Sequence, residues 1–142
     1  MKNLLLAVVV LVFATPIFAQ TGIIKVEVTG IENTNGTVRI GLYNSKSSFP
    51  IYGNEVQGAK VKPTKKGSLS YNFKNLPDGT YAIAVWHDEN DNQIMDKNLF
   101  GAPKEKYGFS KNIFGTFGAP DFEEVSFKVV NGNIVKLTIN LE

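Results

Sequence analysis

The sequence predicts an all-β fold: an antiparallel sandwich of about seven short strands with one long irregular loop. Three observations carry that reading. Apolar and polar residues alternate in segment after segment, Asn-Gly, Pro-Asp-Gly and Lys-Gly turns divide the segments, and no window sustains the 3.6-residue period of a helix.

Taken in order, the chain opens like an export leader. Lys2 supplies the positive charge, Leu4 to Phe13 the apolar run, and Ile17-Phe18-Ala19 a small residue before a cleavage point at Gln20. The run is too short for a membrane span, and no cysteine follows it to accept a lipid. Residues 1–19 therefore read as a signal peptide and 20–142 as a single domain, exported to the periplasm or beyond the cell. A domain of that size hides roughly two thirds of its unfolded surface, enough for a core without disulfides. The formal net charge of +2, one of it from Lys2, is no footprint for nucleic acid or an anionic membrane.

Ile24, Val26 and Val28 alternate with Lys25, Glu27 and Thr29 as the first strand. Asn35-Gly36 predicts a type I′ hairpin turn into a second strand with Val38, Ile40 and Leu42 on one face. A polar connection over 44–55 holds one apolar plug, Phe49-Pro-Ile51. Val56 to Lys62 forms a weaker strand ended by Pro63. Lys65-Lys-Gly67, read as a solvated turn, leads to Leu69, Tyr71 and Phe73. Pro77-Asp-Gly79 turns the chain into Tyr81 to Trp86, apolar on both faces and so a central strand covered on two sides. Alternation lapses from Asp88 to about Pro120. It resumes at Val125, Phe127 and Val129, turns at Asn131-Gly132, and ends with Val135, Leu137, Ile139 and Leu141.

An irregular stretch as long as 88–120 needs something other than a sheet ladder to hold it. Its first residues offer one. Asp88, Asn90 and Asn92 occupy positions 1, 3 and 5 of a Ca²⁺-type loop, Ile94 supplies a backbone carbonyl at position 7, and Asp96 stands at position 9. Hard cations take oxygen ligands, and residues two apart in a tight loop point inward together. Gln93 replaces the glycine of the sharp turn and Leu99 the bidentate glutamate, leaving Asn98, Asp91, Glu89 or water to complete the shell. A structural Ca²⁺ of weak affinity, about 10⁻⁴–10⁻³ M, is the expectation. The competing reading is an Asx-rich turn bonded to its own backbone.

Further along, Tyr107, Phe109, Phe114 and Phe117 on a glycine-jointed segment suit a recognition loop for sugars or peptides. The competing expectation is that these rings, with Phe100, tuck against the end of the sandwich and that Trp86 joins the core. His87, the only histidine, ends the central strand beside a carboxylate. One histidine without cysteine builds no usual zinc site, and a hydrolase needs Ser45, Ser47, Ser48 or Ser110 to meet it.

Phe49-Pro50, Leu76-Pro-Asp-Gly-Thr-Tyr-Ala-Ile-Ala-Val85, His87-Asp-Glu-Asn90, Gly101-Ala-Pro-Lys-Glu105, Tyr107-Gly-Phe-Ser-Lys-Asn112 and Pro120-Asp-Phe-Glu-Glu124 together resemble the bacterial secreted proteins catalogued as domain of unknown function 2141. The Leu76–Tyr81 segment is also similar to transthyretin-like and collagen-adhesin B-type sandwiches. The resemblance implies an exported Ig-like or transthyretin-like β-sandwich of a Gram-negative bacterium, with no catalytic residues to carry over. The family's loop usually has glycine where this chain has Gln93 and Lys106. The function expected is a non-enzymatic module that binds an envelope protein or glycan; the alternative is a small hydrolase using His87.

Overall fold

In a computed structural model, residues 20–142 are described; the leader reading of residues 1–19 lies outside the described residues. The strands are β1 (Gly22–Ile31), β2 (Thr37–Tyr43), β3 (Gln57–Val61), β4 (Gly67–Leu76), β5 (Gly79–Asp88), β6 (Tyr107–Phe109), β7 (Phe127–Val129) and β8 (Ile134–Asn140). They form two sheets, one ordered β4-β1-β8 and the other β3-β2-β5-β6, with β7 also on β5. The sandwich is as expected, with eight strands rather than seven. The additional one, β6, lies inside the stretch expected to be irregular. Every pairing is antiparallel except β1 with β8, which run parallel from Ile23↔Ile134 to Thr29↔Asn140.

Both Asn-Gly hairpins are corrected. β1 and β2 belong to different sheets, so Asn33–Gly36 is a crossover between layers. Glycine is needed at 36 because the backbone there passes against β5: a Cβ would lie 1.9 Å from the Asp88 carbonyl oxygen. At the second site the turn chemistry holds. Asn131 and Gly132 have φ of 53° and 64°, and the Asn133 N–H donates to the Val130 carbonyl, as a type I′ turn requires. Yet the strands it joins pair with different partners, β7 with β5 and β8 with β1.

Period-2 alternation places Ile24, Val26 and Val28 of β1 against Val38, Ile40 and Leu42 of β2 and Tyr81, Ile83 and Val85 of β5, all buried between the layers. Each fully buried aliphatic side chain contributes roughly 1.5–3 kcal/mol. A second cluster lies on the other face of β5, where Ala82 meets Tyr43, Phe49, Phe109, Phe122 and Val125. The expected double coverage of β5 thus holds at Ala82, while Ala84 and Trp86 on the same face stay half-buried. Phe49 is the plug, edge-on to Tyr43, Phe109 and Phe122 at 5.4, 5.8 and 6.0 Å between ring centroids. Ile51, expected to share that role, is 52 % exposed.

A helix also appears where no helical period was legible. The single turn α1 (Phe122–Val125) is held by a capping box between Asp121 and Glu124 and buries Phe122 and Val125. It helps close the edge of β5. β7 covers Gly79–Tyr81 and β6 covers Ala84–Trp86, which leaves the N–H of Ile83 in the gap. That N–H donates to the Ser110 hydroxyl at 3.0 Å, and the hydroxyl donates onward to the Val125 carbonyl at 2.7 Å.

Candidate binding groove and the loop that walls it

On the outer face of the second sheet, β2 and β5 set Arg39 opposite Trp86, with Asp88 closing the strand. Arg39 is only 6 % exposed although it faces away from the core. Its guanidinium carbon lies 5.3 Å from the centroid of the Tyr52 ring and 6.0 Å from that of Trp86. Its Nε donates to Asp88 Oδ2 at 2.6 Å and its Nη1 to the Tyr52 hydroxyl at 2.8 Å. A charge so enclosed is tolerated because it is paired and hydrogen-bonded.

Asp88, fully buried, also starts the long loop. Its Oδ1 accepts the N–H of Asn92 at 3.1 Å and its Oδ2 the N–H of Gln93 at 3.0 Å, the fifth and sixth positions counted from it. Gln93 takes the left-handed backbone (φ 66°) that glycine takes in the motif. Asn90 Oδ1 accepts from the Asn92 N–H, and Asn92 Oδ1 from the Ile94 N–H, two Asx turns. The amide groups of Asn90 and Asn92 both donate to the Asp96 carboxylate, at 2.7 and 3.2 Å. Asp88, Asn90, Asn92 and Asp96 are therefore drawn into one network. The Ile94 side chain stands in solvent, 65 % exposed.

Sequence reasoning about the loop's own chemistry missed Glu105. This side chain, 7 % exposed, accepts the Glu89 N–H at 3.1 Å and the Asp96 N–H at 3.3 Å, and so ties together both ends of the loop. Burial raises its pKa above the usual carboxylate value. The charges of Asp88 and Asp96 push the same way, and the two backbone N–H groups oppose them. Its separation from Asp96 matches no metal-loop spacing, so only folding reveals its place.

In donor chemistry the loop offers the oxygens that a hard cation takes, but its acidic side chains do not converge on one point. Asp88 is committed to Arg39 and two N–H groups, leaving Asp96 between two amides. Among the described residues no group of three or more His, Cys, Asp or Glu side chains is disposed to hold a metal ion.

Beyond Asp96 the chain builds two arms. In the first, Lys97 bridges to Pro103, and Asn98 Oδ1 accepts from the N–H groups of Phe100 and Ala102, presenting Leu99 and Phe100 at the tip. In the second, a bridge between Gly115 and Gly118 presents Phe117. Between these arms, over Arg39, Ala84 and Trp86, runs a groove of about 1250 Å³.

Two expectations about the rings are corrected here. Phe100 and Phe117, expected to tuck in, are 95 % and 101 % exposed. Trp86, expected in the core, is half-buried on the groove floor. Phe109 and Phe114 do cap the sandwich, edge-on to Tyr107 at 5.7 and 5.6 Å. Phe109 is buried, and it lines the groove wall together with Tyr107. Each of the two exposed rings sits at the tip of a short turn, Phe100 just before Gly101 and Phe117 just before Gly118.

His87 faces inward, 1 % exposed, and its Nε2 donates to the Asn35 carbonyl at 2.7 Å, pinning the β1–β2 crossover. None of the serines is among its hydrogen-bond partners. Ser45, Ser47 and Ser48 bond to one another, and Ser110 fills the β5 edge.

No helix among the described residues is long and apolar enough to cross a membrane. No curated protein and no solved structure matches the chain significantly. A family model described as "Uncharacterized protein conserved in bacteria (DUF2141)" does match, over residues 26–136, from the second turn of alternation in β1 to the middle of β8. The chain belongs to this family of uncharacterized bacterial proteins, the domain of unknown function 2141.

Proposed function

We propose that the protein is an exported, non-enzymatic binding module whose outer-face groove takes up an envelope component, a glycan or another protein. One observation carries the reading: Phe100 and Phe117 stand wholly in water on the two arms of a groove floored by Trp86. Folding gains nothing from that exposure, whereas a ligand with an apolar face gains the full burial of both rings. Export rests on the leader-like residues 1–19, with Lys2 before the Leu4–Phe13 run.

In this reading the Asp88–Asp96 loop is a weak structural Ca²⁺ site that stiffens one wall. Its support is local: Asp88 closes the turn through the fifth and sixth N–H groups, and Asn90 and Asn92 converge on Asp96. The ion rests on Asp96, the Ile94 carbonyl, water and the two amides turned oxygen-first. Turning them sacrifices both Asx-turn bonds. With only two of the aligned ligands charged, Asp88 and Asp96, and Asp88 already paired to Arg39, affinity stays near the extracellular range of about 10⁻⁴–10⁻³ M.

Calorimetric titration of residues 20–142 with defined soluble oligosaccharides and with purified outer-membrane proteins tests the groove. Saturable binding that weakens at least about tenfold when Phe100 and Phe117 are both changed to Ser supports the reading. Absence of saturable heat with every probe overturns it. A His87→Ala chain that still folds keeps its binding, since His87 is a structural clamp here.

A further inference from the structure

Two polar groups in the groove stand apart from the Asp88 network. The Tyr43 ring packs edge-on to Phe49 and the residue is 3 % exposed. Among the described residues no fully occluded side-chain oxygen or nitrogen of the interior lacks a hydrogen-bond partner. The Tyr43 hydroxyl has none there, and the residue lines the groove, so the groove is where the hydroxyl opens. Its place follows from Gly41, on the outer face of β2. A Cβ there would lie 2.8 Å from the Tyr43 Oη, so the phenol oxygen hangs where a side chain would otherwise stand. Glu55 does the same beside it. Its Oε1 lies 2.9 Å from where a Cβ on Gly58 would be, and Gly58 is the register partner of Gly41. The other oxygen, Oε2, accepts the Gly53 N–H at 2.6 Å, which fixes the carboxylate and leaves Oε1 to accept from elsewhere.

Phenol and carboxylate therefore lie side by side with no hydrogen bond between them. Burial, and after it the charge of Glu55, raise the Tyr43 pKa above its ordinary value, so the phenol remains a donor. A donor beside an acceptor calls for a group that accepts from one and donates to the other. A hydroxyl does both, whereas an ammonium only donates and a carboxylate only accepts. Charge narrows the choice further. A bound anion meets Glu55, and a bound cation meets the Arg39 guanidinium beside the Tyr52 and Trp86 rings. Trp86 follows Ala84, the partner of Gly41, by two residues along β5, roughly 6.5 Å. The indole and the phenol oxygen are thus within reach of one small ring. Resting on the binding module proposed above, we infer that the groove takes an uncharged glycan, with a sugar ring stacked on Trp86 and one of its hydroxyls held between Tyr43 and Glu55. A pyranose carries both requirements at once, an apolar C–H face and hydroxyls around its edge. A serine or threonine of a protein partner offers the hydroxyl without the face.

Calorimetric titration of residues 20–142 tests this with neutral cello-, malto-, manno- and N-acetylated chito-oligosaccharides, against a deacetylated chito-oligosaccharide and an oligogalacturonate. At least one neutral sugar should bind saturably, and more tightly than either charged one. Tyr43→Phe keeps the ring on Phe49 and weakens that binding about tenfold, the loss of one hydrogen bond in an enclosed site. Its melting temperature stays unchanged, because the hydroxyl has no protein partner to lose. Glu55→Gln, whose amide oxygen still accepts the Gly53 N–H, weakens the binding likewise. Neutral-sugar binding indifferent to both substitutions overturns the inference, and so does tighter binding of a charged oligosaccharide. Saturable binding of purified outer-membrane proteins without any neutral sugar removes the glycan and keeps the binding module. Silence toward every sugar and every protein removes both.

Discussion

Replacing Asp88 by alanine removes the single contact on which the outer face and the loop both depend. The side chain is fully buried and accepts from Arg39 Nε and from the N–H groups of Asn92 and Gln93. Its loss leaves the Arg39 guanidinium, 6 % exposed, with the Tyr52 hydroxyl as its remaining side-chain partner. Removing one member of a buried ion pair costs about 3–5 kcal/mol, because the other charge stays enclosed and uncompensated. The two N–H groups add less, since Asn92 and Gln93 are exposed and water replaces their acceptor. For a domain near 120 residues, each kcal/mol corresponds to about 3–6 °C, so the melting temperature falls by about 10–30 °C. Urea unfolding of residues 20–142, followed by far-ultraviolet circular dichroism, measures the loss directly. Changing both partners to apolar residues, Arg39→Met with Asp88→Leu, recovers most of it, because no charge is then stranded. A loss below about 1 kcal/mol for Asp88→Ala refutes the reasoning, since the pair then behaves as a solvated surface bridge.

Three further outcomes are expected. The Glu105 carboxyl has its folded pKa above its unfolded value of 4.5, so the folded state keeps a proton that the unfolded chain has lost. Its contribution is full below that unfolded value and declines as pH rises through the folded one. The unfolding free energy of wild type minus that of Glu105→Gln therefore shrinks as pH rises above 4.5, and a difference that grows contradicts the burial of this group. Thermal melting in 10 mM Ca²⁺ against chelator raises stability by about 1.4–2.7 kcal/mol for dissociation constants near 10⁻³–10⁻⁴ M. Gln93→Gly relieves a left-handed backbone that is present without the ion, so it raises both melts and leaves their difference unchanged, and identical melts with Ca²⁺ and chelator remove the cation from the account. Ser110→Ala orphans the Ile83 N–H and the Val125 carbonyl and costs about 1–3 kcal/mol in denaturant unfolding; a neutral result means that water reaches the β5 edge.

The layers of this fold were legible because period-2 alternation reports which side of a strand is buried, and it did so for β1, β2 and β5. Connectivity was not. Asn35-Gly36 has the composition of a hairpin turn, but turn composition says nothing about whether the flanking strands pair, and here they enter different sheets. β6 escaped notice because Tyr107–Phe109 is three residues long, too short for alternation to register. The loop was readable at Asp88, Asn90, Asn92 and Asp96, whose spacing does bring them into one network. Arg39 and Glu105 were not readable there. One arrives from a neighbouring strand and the other from beyond an arm, and no local spacing encodes either. The exposed rings were misjudged for a related reason. Hydrophobicity argues for burial on average, and the exceptions depend on where a turn aims its tip.

Trp86, the only tryptophan, lies on the groove floor, so its emission tests whether partners bind where the account places them. Saturable binding of an oligosaccharide or an outer-membrane protein should shift that emission to the blue with the same dissociation constant as the calorimetric signal. The Phe100→Ser/Phe117→Ser chain should lose both together. Binding that saturates by calorimetry while Trp86 emission stays unchanged contradicts the account, because the partner then sits elsewhere on the molecule.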